Sequence, residues 1–376
     1  MIKESIYKII VLIGNSAFFF LGLIYLKTIP NFNFLTKIII SFLVFILLIY
    51  LSKKLILNKF FFKLLTIFYC FLGSIFIISL ILGKSKFNDP LFILNSTQNT
   101  INAIYNIKQN KNIQLKINKN EILIESLNLL TKQLIYQNNY KLRKTKFFKW
   151  TVNFFNYRIL NYLFQEIFLN NCYFFNTNSK QPNIIDCGSN IGISILYFKK
   201  IYPESKIICF EPDKQTFEIL KNNIEQNKLK NVLAQNIALS NKNEYLKFYY
   251  DKNTPGNLKM SYLPERINSG QNYEMVKATK LSNYINEDID FLKMDIEGAE
   301  TDVIKELYKN NKLKYINQMV IEFHHHISKS NYNNLSVILK ILEKSNFSYQ
   351  INTNTNTPFE QDKIQDILIF AYQKTT

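Results

Sequence analysis

The sequence contains few cysteines and histidines. Its four cysteines include no C-x-x-C pair, which excludes a disulfide framework and a zinc ribbon and suits a reducing compartment. The three histidines form one run at residues 324–326, so a metal cage built from histidines scattered along the chain is also excluded. Charged residues make up only 20% of the chain and hydrophobic residues 47%, which excludes a disordered protein and a coiled coil.

Acidic residues are scarce in the first half of the chain. Residues 1–180 contain 22 Lys and Arg but only five Asp and Glu, a net charge of +17, whereas residues 181–376 contain 24 bases and 23 acids. A strongly basic segment predicts an anionic neighbour, for which nucleic acid, an anionic membrane surface and an acidic substrate are the candidates. With 376 residues, the chain is long enough for two folded regions.

The N-terminal region contains three long apolar runs, at residues 9–26, 38–51 and 64–83. A helix needs about 20 apolar residues to cross the hydrocarbon core of a bilayer, so the first and third runs are long enough. The second run is long enough only if it begins near Phe34. Because the runs are apolar all round, they predict an all-α membrane region at residues 1–86, with two to three transmembrane helices and the lipid bilayer as a partner. Buried core helices are the alternative.

Residues 87–159 are predicted to form a basic helical and aromatic connecting region. Its densest basic cluster lies around residues 141–149, where Phe147, Phe148 and Trp150 are interleaved with lysines. This combination suits contact with a membrane surface, a groove for an anionic substrate or single-stranded nucleic acid. It is equally typical of a solvated helix face.

The second half alternates short apolar runs with helical segments, which predicts an α/β domain at residues 160–376. The predicted strands lie at residues 183–187, 206–210, 231–235, 245–250, 291–294, 318–323, 347–351 and 366–372. Continuous apolar strands that alternate with helices are typical of a doubly wound, mostly parallel sheet, here with the last two strands as an antiparallel edge pair. Such sheets bind ligands at the carboxyl ends of their strands.

The loop after the first of these strands, at residues 186–192, has the pattern D-x-G-x-x-x-G. A dinucleotide site needs more closely spaced glycines, so that backbone amides reach a pyrophosphate. The wider spacing and the leading Asp186 favour a positively charged ligand without phosphates, such as S-adenosylmethionine. Asp186 would neutralise its positive end, and Gly188 and Gly192 would let the backbone approach it. Asn190, which lies between the two glycines, is a further candidate residue for binding this molecule.

Two polar residues at the ends of the next strands extend this candidate site. Glu211 ends the second strand, where an acid can accept hydrogen bonds from both ribose hydroxyls. Asn236 follows the third strand, and its side chain is a candidate partner for the adenine edge. The alternatives are an acid at a helix N-terminus for Glu211 and a turn-forming residue for Asn236.

Five segments of the second half match the pattern of one family. They are IIDCGSNIGISILYF (184–198), FEPDKQTFEILKNNIEQN (210–227), IALS (237–240), LKMDIEGAE (292–300) and VIEFH (320–324). Together they resemble the FkbM-type family of S-adenosylmethionine-dependent methyltransferases. The resemblance covers about residues 160–376. It implies a seven-stranded class I methyltransferase fold and methyl transfer, usually to a hydroxyl of a sugar, glycan or natural product.

The segment LKMDIEGAE places Asp295 at the end of a strand and Glu297 two residues later, so both can face the cleft. It lacks the [DN]-P-P-[YF] pattern with which similar enzymes hold an amino nitrogen, and this favours an oxygen acceptor. Because the segment also resembles that of metal-assisted O-methyltransferases, Asp295 and Glu322 are candidate ligands of a divalent metal. The alternative is that these acids cap the following helix.

Glu322, His324 and His326 alternate at the end of their strand, so they are expected to share one face. A hydroxyl must lose its proton as the new C–O bond forms, and a histidine titrates near neutral pH. His324 is therefore the first candidate for the general base, with Asp295 and Glu297 as competitors. A polar strand end without a catalytic role is the alternative.

These features predict a multi-pass membrane enzyme, its catalytic domain on the cytoplasmic side, that O-methylates a hydroxyl of a sugar, glycan or lipid-linked saccharide. The lysines around the apolar runs favour an N-terminus in the cytoplasm. Three membrane spans would then place the catalytic domain outside the cytoplasm. Because the cofactor is cytoplasmic, either the N-terminus lies outside or one run does not cross. The rival functions are a non-catalytic membrane ligand-binding module and a nucleic-acid-modifying methyltransferase, with nucleic acid the less favoured partner.

Overall fold

The computed structural model describes residues 117–136, 140–267, 272–327, 334–353 and 364–374. The chain divides into two compact units. One comprises Gln109–Leu129 and Tyr136–Thr376, and the other comprises Met1–Lys108 and Leu130–Ile135, of which the structure describes only the last six residues. The membrane region predicted at residues 1–86 lies outside the described residues, and the predicted domain boundaries stay predictions.

The described residues form α-helices and β-strands that alternate through most of the larger unit. The helices are α1 (Lys119–Tyr136), α2 (Tyr157–Phe164), α3 (Ile193–Ile201), α4 (Lys214–Gln226), α5 (Glu300–Lys309) and α6 (Asn334–Lys344). The strands are β1 (Arg143–Phe147), β2 (Trp150–Phe154), β3 (Asn183–Cys187), β4 (Lys206–Phe210), β5 (Val232–Gln235), β6 (Ala238–Ser240), β7 (Glu244–Tyr249), β8 (Tyr273–Lys280), β9 (Ile289–Met294), β10 (Ile316–His325), β11 (Phe347–Thr353) and β12 (Gln365–Gln373). A short π-helix, Gln165–Leu169, continues α2.

Seven strands form one sheet, in the order β11-β12-β10-β9-β3-β4-β5. The strands from β10 to β5 run parallel, whereas β12 pairs antiparallel with both β10 and β11. Residues of β9 are buried along nearly the whole strand, as expected for a parallel strand, and Leu292 and Met294 pack in the core with Val303 and Leu307 of α5. The prediction of an α/β fold with a mostly parallel seven-stranded sheet is confirmed.

The carboxyl ends of β3, β4 and β9 are joined by backbone hydrogen bonds. The N–H of Asp295 donates to the carbonyl of Cys187 at 3.0 Å. The N–H groups of Gly188 and Ser189 donate to the carbonyl of Phe210 at 3.1 and 2.9 Å. These bonds hold the loops that follow β3 and β9 beside the end of β4. Parallel sheets bind their ligands at this edge, next to the strand where the strand order reverses.

A second sheet has three strands in the order β6-β8-β7 and its own small apolar cluster. Strand β6 runs parallel to β8, and β7 runs antiparallel to it. The strand predicted at residues 245–250 is β7 and belongs to this small sheet, and the sequence analysis missed β6 and β8. Exposed residues recur at alternate positions of β7, as expected for an antiparallel strand with one solvated face.

Strands β1 and β2 form an antiparallel hairpin within the predicted connecting region. Phe147 and Trp150 are buried, whereas Lys144, Lys146 and Lys149 are exposed. Side chains of α4 and of the residue that follows it accept hydrogen bonds from backbone N–H groups of β2. The aromatic residues of the basic cluster are therefore part of the core, and its lysines form a solvated face.

Within the described residues, no helix is both long and apolar enough to span a membrane. The longest, α1, has 18 residues but contains two glutamates and two lysines. This finding contradicts the predicted localisation, a multi-pass membrane protein with its catalytic domain on the cytoplasmic side. The three apolar runs on which that prediction rested lie outside the described residues.

Gly188 generates a prediction about stability. Its φ is +84°, and a Cβ at this position would lie 1.8 Å from the backbone oxygen of Asp295. Left-handed backbone costs other residues about 1–2 kcal/mol, and an overlap with backbone cannot be relieved by rotating a side chain. We expect Gly188→Ala to lower the free energy of unfolding, measured by chemical denaturation, by about 3 kcal/mol or more.

The matched control is Gly256→Ala. Gly256 also has a positive φ, +71°, but its added Cβ would meet the ring of Phe155, which can move. The free energy of unfolding is expected to fall by only about 1–2 kcal/mol in this variant. Equal losses in the two variants would contradict the backbone overlap as the cause.

Candidate active site

A cavity of about 830 Å³ lies at the carboxyl ends of β3, β4, β9 and β10. Its volume is in the range of about 300–1,000 Å³ that is usual for ligand sites. Six of the predicted site residues line it: Gly188, Asn190, Glu211, Asp295, Glu297 and Glu322. Four others are not part of its lining: Asp186, Gly192, Asn236 and His324.

Glu211 lines the cavity and is only 5% exposed. Its Oε2 accepts a hydrogen bond from the backbone N–H of Asn190, and its Oε1 accepts one from that of Asp213, both at 2.9 Å. Burial, and then the charge of Asp213, raises the pKa of Glu211 to about 8. The carboxylate therefore connects β4 to the glycine loop and faces the cavity.

Gly192 and Asn236 shape the loops around the cavity. Gly192 has a φ of +89° at the start of α3, and a Cβ there would lie 2.8 Å from Leu220 Cδ1. The Nδ2 of Asn236 donates to the carbonyls of Glu211 and Pro212, at 2.9 and 3.0 Å. The side chain of Asn236 thus holds a turn, which was the alternative to its predicted contact with adenine.

Asp186 is completely buried. Ser194 Oγ donates to its Oδ2 at 2.5 Å, and the Nζ of Lys293 lies 3.3 Å from its Oδ1. The negative charge of Asp186 is therefore already balanced inside the protein. This position does not agree with its predicted role of neutralising the positive end of a ligand.

Lys293 is the residue of this network that the sequence analysis missed. It lies in β9, is 3% exposed, and donates to the carbonyl of Gly188 at 2.5 Å, while its Nζ lies 3.4 Å from Asp295 Oδ2. Burial lowers the pKa of Lys293, but Asp186 and Asp295 raise it by more, so the ammonium group stays charged. A lysine inside an apolar strand was the available signal, because buried lysines require partners.

His324 is buried between carboxylates at the end of β10. Its Nδ1 lies 3.0 Å from Glu300 Oε1, and its Nε2 lies 3.3 Å from Glu297 Oε2. Burial lowers the pKa of His324, but Glu297 and Glu300 raise it well above its usual value. Both ring nitrogens already face carboxylates of the protein, so neither is open to an acceptor hydroxyl in this arrangement. Glu322 is buried like His324, as expected for residues on one face of the strand. His326 lies beyond the end of β10 and has a φ of +64°.

Glu297 is held by Arg266, a second residue that the sequence analysis missed. The Nε of Arg266 donates to Glu297 Oε2 at 2.7 Å, and its Nη2 lies 3.9 Å from Asp366 Oδ1. Burial raises the pKa of Glu297 to about 7, against the opposing effects of His324 and Arg266. Glu297 therefore belongs to a network of charges with few open acceptor positions.

Of the two predicted metal ligands, the structure brings only Asp295 into a group that could hold a metal ion. Within the described part of the chain, Asp295, Glu297 and His324 bring potential donor atoms within 4.8 Å of one another, but Glu322 is not in this group. The hydroxyl of Tyr173 donates to Glu322 at 3.4 Å. Two cationic side chains already contact these acids, Arg266 at Glu297 and Lys293 at Asp295.

Comparisons with known proteins agree on one family. The family model described as Methyltransferase FkbM domain matches residues 186–349. Methyltransferase 1 of Beauveria bassiana (strain ARSEF 2860) is 30% identical over 168 residues, covering 39% of this chain and 67% of that protein. The chain belongs to the FkbM methyltransferase family. Methyltransferase sdnD of Sordaria araneosa is 31% identical over 176 residues, covering 38% of this chain and 67% of that protein.

A third relative of this FkbM methyltransferase has a more specific name. The 2-O-methyltransferase NoeI of Sinorhizobium fredii (strain NBRC 101917 / NGR234) is 28% identical over 139 residues, covering 33% of this chain and 56% of that protein. The family match contains every predicted site residue. Helix α2 and the π-helix, which also line the cavity, precede it.

The buried ion pair of this FkbM methyltransferase predicts a coupled effect on stability. Lys293→Met leaves the Asp186 carboxylate buried without its cation, and we expect the free energy of unfolding to fall by about 3–5 kcal/mol. Adding Asp186→Asn, which keeps an acceptor for Ser194, removes the uncompensated charge and is expected to restore most of this loss. Chemical denaturation of both single variants and the double variant measures the coupling.

The matched control is Lys200→Met. Lys200 pairs with Glu121 at 2.7 Å, but this pair is partly exposed, so the expected loss is below about 1 kcal/mol. If the effects of Lys293→Met and Asp186→Asn simply add, the ion pair does not stabilise the site as described.

Glu211 predicts a pH dependence of stability. Its pKa in the folded protein, about 8, lies above the unfolded value of 4.5. Its stabilising contribution is therefore complete below pH 4.5 and is lost as the pH rises towards 8, at up to about 1.4 kcal/mol per pH unit. Denaturation between pH 5 and 8 is expected to show a smaller fall for Glu211→Gln than for the wild type or the exposed control Glu218→Gln. Identical slopes in all three proteins would contradict the raised pKa.

Proposed function

We propose that this FkbM methyltransferase uses S-adenosylmethionine to methylate a hydroxyl group of a sugar or glycan. The observation that carries the proposal is the buried Glu211 carboxylate, which faces a cavity of cofactor size beside the glycine loop. A carboxylate at the end of the second parallel strand suits the two hydroxyls of a ribose. The name of the relative NoeI, a 2-O-methyltransferase, supports oxygen as the acceptor atom.

The charge of the cavity favours this cofactor over a dinucleotide. Glu211, Asp295, Glu297 and Glu322 all line it. A sulfonium and an ammonium group favour the ionised form of these acids and pair with it, whereas a pyrophosphate opposes their ionisation. The residues present therefore fit S-adenosylmethionine, with the nucleoside at Glu211 and the methyl group towards Asp295.

When bound, S-adenosylmethionine supplies an electrophilic methyl group. The chain then has to orient an acceptor hydroxyl and remove its proton, and alignment alone can lower a barrier by about 7–11 kcal/mol. Asp295 is the proposed proton acceptor because its side chain is more exposed than those of His324 and Glu297. Its Oδ2 lies 3.4 Å from the Nζ of Lys293, and its Oδ1 has only a longer contact, 3.9 Å from the Nε2 of His324, so Oδ1 is the more open atom. Its side chain is 24% exposed, so an acceptor can reach it.

The acceptor is proposed to be a polyhydroxylated molecule. Besides Asp295, the cavity lining includes Glu322, Asp366, Arg158 and Arg266. Carboxylates accept hydrogen bonds from hydroxyls and guanidinium groups donate to them, so this lining suits a sugar better than an apolar acceptor. The rival function, ligand binding without catalysis, predicts the same cofactor affinity but no transfer.

Isothermal titration calorimetry with S-adenosylmethionine, S-adenosylhomocysteine and NAD tests cofactor identity. The two sulfur nucleosides are expected to bind and NAD is not. Glu211→Gln should weaken their binding by about 10-fold or more, whereas Glu218→Gln, which removes the same charge from an exposed face of α4, should leave it unchanged. Binding of NAD in preference to S-adenosylmethionine would contradict the proposal.

Methyl transfer is tested with S-adenosylmethionine that carries a labelled methyl group. The acceptor is supplied by an extract of cells from which the gene for this protein has been deleted. Label is expected in a carbohydrate fraction. Asp295→Asn should bind the cofactor normally but transfer the label about 10²- to 10⁴-fold more slowly. Normal cofactor binding by the wild type without any transfer would favour the non-catalytic rival.

A further inference from the structure

The amino acid end of S-adenosylmethionine carries an α-ammonium group, for which a carboxylate is the natural partner. This inference rests on the proposed function. Sequence analysis assigned the positive end of the cofactor to Asp186, but that residue is completely buried, does not line the cavity and pairs with Lys293. Other carboxyl groups that line the cavity are open to the ammonium group.

Six carboxylates line the cavity: Glu166, Glu211, Asp295, Glu297, Glu322 and Asp366. Five of them have partners within the protein. Their partners are the backbone N–H groups of Asn190 and Asp213 for Glu211, Lys293 for Asp295, Arg266 for Glu297 and Asp366, and the Tyr173 hydroxyl for Glu322. Within the part of the chain that the structure describes, Glu166 is the one cavity-lining carboxylate without a hydrogen bond or ion pair.

Glu166 belongs to a surface that the family match does not include. Helix α2 and the π-helix contribute lining residues at a spacing of three and four, which places them on one face of the helix: Ile159, Tyr162, Leu163, Glu166 and Ile167. The carbonyl of Gln165 accepts the N–H of Asn170 at 2.8 Å, which closes the wider π turn. Short π-helices often occur at functional sites.

The electrostatic surroundings of Glu166 favour a bound cation. Burial, and then the charge of Asp295, raises the pKa of this carboxyl to about 7, although Lys293 lowers it. The charged and titratable groups that interact electrostatically with Glu166 are Tyr162, Cys172, Tyr173, Lys293, Asp295, Glu322, His324 and Asp366. The half-buried Glu166 side chain lines the cavity without a protein partner among the described residues, so its oxygens are open to a ligand cation.

We infer that the Glu166 carboxylate binds the α-ammonium group of the cofactor. The nucleoside would then be held at Glu211 and the amino acid end at Glu166, with the methyl group between them near Asp295. The anchor for the amino acid end would come from α2 and the π-helix, outside the segment that the family shares. Asp186 would act only through Lys293, as a positioning residue for the glycine loop.

The test compares two probes that differ in the amino acid end. S-adenosylhomocysteine has its α-ammonium as the single positive charge, and 5′-methylthioadenosine has no amino acid end at all. For Glu166→Gln, calorimetry is expected to give a Kd for S-adenosylhomocysteine about 10- to 100-fold higher than for the wild type. The Kd for 5′-methylthioadenosine should stay the same, and Glu218→Gln should change neither value.

A second comparison uses the 2-oxo analogue of S-adenosylhomocysteine, which lacks the ammonium group. It should bind the wild type more weakly than S-adenosylhomocysteine does, and this difference should vanish in Glu166→Gln, since the two changes remove the same contact. If Glu166→Gln does not fold, as judged by circular dichroism, Glu166→Asp replaces it, and a smaller rise in Kd for S-adenosylhomocysteine alone is expected.

Each outcome separates this inference from the proposed function. Unchanged affinity of Glu166→Gln for S-adenosylhomocysteine would overturn the inference and leave the proposed function intact, as expected if Glu166 acted on the acceptor instead. Equal losses for both probes would also overturn it, because they indicate a general effect on the cavity. Failure of the wild type to bind any of the probes would overturn the proposed function itself.

Discussion

The site depends on one buried cation. The ammonium group of Lys293 contacts the carboxylates of Asp186 and Asp295 and the carbonyl of Gly188, and it therefore joins the strand ends of β3 and β9. A carboxylate left unpaired in the interior costs several kcal/mol. The position of the glycine loop and the charge of the acids beside it are therefore parts of one electrostatic balance.

This balance determines which acids are open to a ligand. Arg266 holds Glu297, and the imidazole ring of His324 lies between Glu297 and Glu300. Most acceptor atoms of this network around β10 therefore have partners within the protein. Glu211 and Glu166 are the carboxyl groups proposed for the cofactor, and Asp295, which contacts Lys293, is the one proposed for proton transfer.

Sequence patterns were sufficient for the main sheet, because each parallel strand is a continuous apolar run. They did not reveal β6, which has only three residues, or β8, in which exposed and less exposed residues alternate. Polar residues after the strands indicated that Glu211 and Asp295 face the cavity. Burial and pairing could not be predicted in the same way: Asp186 and His324 are the right kinds of residue, but Lys293 and the nearby acids determine their charge, and those partners lie far apart in the sequence.

The most direct test of the central claim is a crystal structure of the protein with S-adenosylhomocysteine. The account predicts that the ribose hydroxyls contact the Glu211 carboxylate, while the Nζ of Lys293 still lies between Asp186 and Asp295 and no ligand atom touches Asp186. A structure in which Lys293 has left this position and the ligand's ammonium group contacts Asp186 would contradict the account.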